Sequence, residues 1–188
     1  MHHNNFSQHY YDLIGKSTQF HKSNKTWSGF SQTAYVNDIK TLVEKHNVKS
    51  LLDYGCGKGE QYIEKLEYSP GVFQTFNEYL NIDSVYKFDP CWEKFKTPPN
   101  EHQKFDAVIM IQAIGFIPDQ DIDVLKNILM NHATKFCFIG ECYSSYGKVK
   151  PKKTKLLDPT YFKEVRNPEW FKNKFSDWTG SELIFKFI

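Results

Sequence analysis

Apolar residues recur three to four positions apart between Thr33 and His46, at Val36, Ile39, Leu42 and Val43, which predicts an amphipathic helix. A short run, Leu51–Leu52–Asp53–Tyr54, follows and is stopped by Gly55–Cys56–Gly57–Lys58–Gly59, so it reads as a strand entering a glycine turn. A helix is expected from Glu60, with Ile63 and Leu66 on one face, ending before Pro70–Gly71, and a second short helix over Val72–Leu80. Val85–Phe88 is a strand ending at Asp89–Pro90, and Cys91–Lys104, with Pro98–Pro99 and little periodicity, is a loop. Ala107–Ile111 and Lys135–Gly140 read as buried strands, separated by a helix whose Ile122, Leu125, Ile128 and Leu129 share a face. Asn167–Pro168–Glu169 is a helix start, with a capping Asn, Pro in the first turn and an early acid. That helix is expected to run to Trp178 before Gly180, and Leu183–Ile188 closes the chain as a strand. The polar start, carrying Phe6, Tyr10, Tyr11, Phe20, Trp27 and Phe30, reads as an irregular arm with one short helix at most.

Strands and helices thus alternate along the chain, which implies an α/β, Rossmann-like, doubly wound and mainly parallel sheet. The sheet is expected to be reduced. Only Pro90 to Phe105 lies between two of its strands, and a parallel crossover alone takes about ten to twelve residues. A full helix–strand–helix does not fit there, so strand three should be missing or vestigial and about five or six strands remain. One domain is expected over 1–188, with 1–32 as an N-terminal arm or lid and 33–188 as the core.

Composition narrows the class further. The chain has 188 residues, 40% hydrophobic and 24% charged, as globular domains do, and a net charge of +2 that by itself indicates neither nucleic acid nor membrane as partner. The longest apolar stretch, Ala107–Pro118, is broken by Gln112 and is shorter than the ~20 residues of a membrane span. The start, MHHNNFSQHYYD, has neither the basic nor the apolar region of a signal peptide. Cys56, Cys91, Cys137 and Cys142 form no C-x-x-C pair, so neither zinc nor a disulfide framework is expected, and a reducing cytoplasm fits best. Arg166 is the single arginine.

In a doubly wound sheet, ligands bind beyond the carboxyl ends of the strands where the winding reverses. The glycine turn lies there if Leu51–Tyr54 is the first central strand. Glycine at 55 permits backbone closed to other residues, glycine at 57 permits close approach of a ligand, and amides of a following helix favour an anion. The nicotinamide fingerprint spaces its third glycine one residue later, and Asp53 would face a pyrophosphate badly. Beside a ligand ammonium the same Asp53 is favourable.

A strand ending in aspartate and followed by G-x-G-x-G resembles motif I of the class I S-adenosylmethionine-dependent methyltransferases. The resemblance extends over Gly55–Cys56–Gly57–Lys58–Gly59 with Gln61 and Tyr62, an Asp89–Pro90 after the second strand, Gln112–Ala113 after the fourth, the Ile117–Pro118 helix start and Pro168–Glu169–Trp170–Phe171. Together these look like short methyltransferases encoded by bacteriophages, over residues 50–180. The resemblance implies the methyltransferase type of the Rossmann-like sheet, with S-adenosyl-L-methionine as cofactor and S-adenosyl-L-homocysteine as product. It implies that Asp53, Gly55, Cys56, Gly57, Lys58, Gln61, Tyr62, Asp89, Pro90, Gln112 and Ala113 hold the cofactor. Asp89 takes the ribose hydroxyls in preference to Asp83, which precedes its strand. If the family's source carries over, the compartment is the host cytoplasm.

The chain departs from the family where a Glu-His pair is common: Gly115–Phe116 stands there. The Pro-Pro-Tyr element of amino-methylating DNA enzymes is absent. Pro90–Cys91 follows the wrong strand to supply a cytosine-type nucleophile. Glu141 and Tyr143, at the start of the loop after Lys135–Gly140, are the candidates to orient or deprotonate a nucleophile, and His21 reads as a surface residue. The lysines at 148, 150, 152, 153 and 155 make a basic loop, either solvated or drawing in an anionic substrate or nucleic acid. The helix from Thr33 runs antiparallel to the first strand and so delivers Trp27–Ser28–Gly29–Phe30 to the glycine turn. These aromatics either cover a core edge or form a lid, with Trp27 and Phe30 excluding water and Ser28 bonding the ligand. The expected function is methyl transfer to a small or unidentified acceptor, with no metal. The alternatives are binding of the cofactor without transfer, and its cleavage.

Overall fold

The computed structural model describes residues 5–23, 27–141 and 166–188. Among them the strands are β1 (Ser50–Tyr54), β2 (Leu66–Ser69), β3 (Val72–Gln74), β4 (Ser84–Phe88), β5 (Phe105–Ile111), β6 (Ala133–Glu141) and β7 (Glu182–Phe187). The helices are α1 (Gln8–Ser23), α2 (Val36–Lys45), α3 (Phe76–Leu80), α4 (Ile122–His132) and α5 (Pro168–Lys174). Five strands form one sheet in the order β4-β1-β5-β6-β7, and every neighbouring pair is parallel. An α/β fold with a parallel sheet is therefore what the alternating pattern built. No strand lies between Asp89 and Lys104, as the short spacing implied.

Both faces of the sheet are covered, which explains why its central strands are nearly continuous apolar runs. Alternate residues separate cleanly. Leu52, Val108, Met110, Cys137 and Ile139 meet α4, α5 and the start of α1, whereas Leu51, Ala107, Ile109, Phe136 and Phe138 meet α2 and α3. Arg166 ties the carboxyl edge together. Its guanidinium donates to the carbonyls of Ile114 (2.8 Å) and Ile117 (2.6 Å) and to Asp119, and it stacks 4.5 Å from the Trp170 ring.

Three segments differ from the sequence reading. The helix expected from Glu60 is a single 3-10 turn, Glu60–Tyr62, and the segment expected to be helical at Val72 is a β2–β3 hairpin closed at Pro70–Gly71. A helix begins only at Phe76, where Thr75 and Glu78 form a capping box. The arm is more regular than expected, because α1 is a 16-residue helix. Ser7 holds its start: its Oγ accepts from Tyr10 N, while its own N and Oγ donate to the two oxygens of Asp121. Towards the end of the chain, α5 stops at Lys174 rather than Trp178. No helix among the described residues is long and apolar enough to cross a membrane.

Candidate functional site

Counting only the strands of the main sheet, the order is 2-1-3-4-5, and the winding reverses between β1 and β5. A cavity of about 230 Å³ opens there, at the carboxyl ends of β1, β4 and β5. Its floor is Tyr54, Gly55 and Gly57 after β1, Asp89–Pro90–Cys91 after β4, and Gln112–Ala113 after β5. One face of α1 roofs it, through Tyr10, Leu13, Ile14, Ser17 and His21. Trp27 and Phe116 form one wall, their rings edge to face at 5.6 Å.

The turn after β1 is held from three sides. Gly55 and Cys56 donate their N–H to Phe88 O, and Gly57 donates to Asp89 Oδ2 at 2.9 Å. Gly55 has φ 89°, and a Cβ there would come 2.6 Å from that of Ala113, so glycine is required on both counts. Two non-glycine residues of the lining, Trp27 (φ 58°) and Gln112 (φ 53°), also adopt the left-handed backbone that bulky residues rarely enter. Strain of this kind persists only where the surroundings enforce it, and it gathers at functional sites.

Asp89 sits in the cavity wall with both oxygens engaged, Oδ2 by Gly57 N and Oδ1 by Cys91 N at 2.8 Å. Burial pushes its carboxyl up to about 6, and those two N–H groups oppose the rise. Asp83 is exposed at the opposite edge of the sheet. Asp53 lies on the other face of β1 and does not line the cavity. It is 1% exposed, and its Oδ2 accepts from Gln32 (3.0 Å), Gln61 (3.2 Å) and Tyr62 (2.8 Å). Burial lifts this carboxyl to about 7 in spite of those bonds. Among the described residues its Oδ1 has no donor, and neither have the side-chain oxygens of Gln32 and Gln61. Gln32 lines the cavity as well, so it joins the two carboxyl sites.

The remaining expected residues divide by position. Trp27, Pro90, Gln112 and Ala113 line the cavity with Gly55, Gly57 and Asp89, whereas Ser28, Cys56, Lys58, Gln61 and Tyr62 lie around the turn outside it. The turn amides are not open either: Lys58 N donates to Trp27 O at 2.8 Å, and Glu60 N to Ser28 O at 2.9 Å. Glu141 is buried at the end of β6 and is not part of the lining. Tyr143, Cys142 and the lysines at 148–155 lie outside the described residues. Burial raises the Cys91 thiol far above its ordinary range, so it is no ready nucleophile.

His21 corrects the expectation of a surface residue. It is 2% exposed, packs 4.5 Å from the Trp27 ring and is lowered to about 4 by burial, with Lys58 adding to the effect. It is therefore neutral at pH 7. The sequence reading missed α1 as a roof because the segment is polar overall, although Tyr10, Leu13, Ile14, Ser17 and His21 recur at helical spacing. It also missed Gln32, which no local pattern connects to Asp53.

No protein-family model, no curated protein and no solved structure matches the chain. Function has to be argued from the site itself.

Proposed function

We propose that the protein is an S-adenosylmethionine-dependent methyltransferase acting on a small acceptor. The observation that carries this reading is a set of buried acceptor oxygens with no donor among the described residues, on Asp53, Gln32 and Gln61, beside a glycine turn at the switch point. A buried acceptor without a donor costs about 1–3 kcal/mol. A ligand ammonium has three N–H donors and a positive charge to offset that cost, and it would draw the Asp53 proton off. Asp89 offers the complementary function in the cavity wall, a carboxylate able to accept from a sugar diol.

These residues fit the two halves of the cofactor, a nucleoside and an amino acid. When bound, the cofactor supplies a methyl group activated on a sulfonium. The chain would then hold the nucleoside on Asp89, Gly55 and Ala113, and the ammonium on Asp53 with Gln61. The ring of Phe116, in the cavity lining, would keep water away. Alignment of two reactants contributes up to about 7–11 kcal/mol, so transfer is compatible with a cavity in which burial keeps His21 and Cys91 neutral.

Binding decides the matter. S-adenosylhomocysteine should raise the melting temperature, and Asp89→Asn should weaken its binding tenfold or more, since hydrogen bonds to charged groups contribute about 1.5–3 kcal/mol. No calorimetric binding at millimolar ligand, with the protein folded, rejects the proposal. Incubation with S-adenosylmethionine alone separates transfer from cleavage by the products formed.

A further inference from the structure

We infer that Trp27–Gln32 is a strap seated where the charged end of the ligand belongs, so that the site accepts a whole ligand only once the strap lifts. This rests on the reading above and concerns how that same site is gated. The carbonyls of Trp27 and Ser28 accept from Lys58 N and Glu60 N at 2.8 and 2.9 Å, so the strap takes up two backbone donors able to serve an anionic ligand group. Two glycines make the contact this close. Any Cβ on Gly57 would collide with the Trp27 carbonyl, and any Cβ on Gly29 would collide with the Gln61 amide.

The strap covers Asp53 without satisfying it. Of the strap, Gln32 alone reaches Oδ2, while Oδ1 and the oxygens of Gln32 and Gln61 are sealed from water with no donor among the described residues. Trp27 holds its left-handed backbone (φ 58°) to keep the seat, so part of the contact is strained. The cavity left beside the strap, about 230 Å³, is smaller than the ~300–1,000 Å³ that enclose a drug-sized ligand. A charged carboxylate binds amides more strongly than a neutral carbonyl does, so the exchange favours the ligand once the strap is away. The apparent affinity of the closed protein is reduced in proportion to the fraction that is open.

Adenosine and S-adenosylhomocysteine differ in the end that the strap excludes, so together they test it. In Gly29→Ala, where any side chain strains the backbone at φ 105° and so loosens the strap, S-adenosylhomocysteine should bind about tenfold tighter while adenosine stays within about twofold of wild type. Hydrogen exchange of the wild-type protein is the second measurement and stands alone if Gly29→Ala does not fold: residues 27–32 should exchange faster with S-adenosylhomocysteine than without it. Equal or weaker binding by the variant, or slower exchange of the strap on ligand addition, overturns the strap and leaves the cofactor reading standing. Failure of both ligands to bind wild type removes the two together.

Discussion

Asp53 and Arg166 are equally well buried charged residues, at 1% and 5% exposure, and their surroundings treat them in opposite ways. Arg166 spends its donors on two loop carbonyls and Asp119, with its flat face on Trp170. Asp53 crowds three donors onto one oxygen and leaves the other with none among the described residues. The first arrangement is complete without any ligand and serves the fold. The second leaves a buried oxygen unmet, at a cost to stability that a ligand donor would relieve. A buried charge is thus informative about function when its hydrogen bonding is unfinished, not merely because it is buried.

Titration of stability should break or sharpen this contrast most strongly. The folded Asp53 carboxyl is raised from 3.8 to about 7, so the folded state holds a proton that the unfolded chain has released. Its contribution is fully present below pH 4 and is lost as pH rises to about 7, on the order of 4 kcal/mol at most, levelling off above. Asp89, raised to about 6, adds a loss of the same sign ending near pH 6. Urea unfolding of wild type and Asp53→Asn across pH 4 to 8 should show the difference between them changing over this window; parallel curves would mean that Asp53 is not strained.

Arg166→Met comes next. It removes the donors of the Ile114 and Ile117 carbonyls and should cost about 3 kcal/mol, at the usual 1–3 kcal/mol for each unmet group. For a chain of this length that lowers Tm by roughly 6–12 °C, read by calorimetry. Asp119→Asn should do least, under about 1 kcal/mol, because Asp119 is 62% exposed and exposed ion pairs contribute little. If Asp119→Asn cost as much as Arg166→Met, the clamp would be an ion pair first and a carbonyl holder second.

The sheet was legible in the sequence because the central strands β1, β5 and β6, buried on both faces, are mostly apolar runs, while the half-exposed edge strands β4 and β7 still carry short ones, Val85–Tyr86 and Leu183–Phe185. The hairpin was not, because β2 and β3 are short and largely solvent-facing, with Val72 and Phe73 exposed, so burial imprinted no alternation there. Gly59 to Tyr62 looked like a helix start, yet Gln61 and Tyr62 turn their side chains to Asp53 and the helix ends after one turn. Within the site, the floor was legible because its residues follow strand ends in order. The roof and the strap depend on contacts across the chain, Ser7 with Asp121 and Trp27 with Lys58, which no local pattern records.

The all-parallel sheet also bears on the order in which the molecule assembles. Parallel neighbours cannot be joined by a tight turn, so each pairing closes a long loop before it is rewarded, and such topologies fold slowly. The shortest closure within the sheet is β5–α4–β6, one contiguous stretch over 105–141, in which α4 packs on the very strands it connects. The cavity, by contrast, draws on α1, Trp27, the β1 turn, Asp89 and Gln112, spread over about a hundred residues. Were 105–141 the folding nucleus, the cavity would still be unmade in the transition state and the site would close last. Interactions of the strap would then fall after the transition state, where they govern how fast the native protein unfolds and leave its folding rate almost untouched.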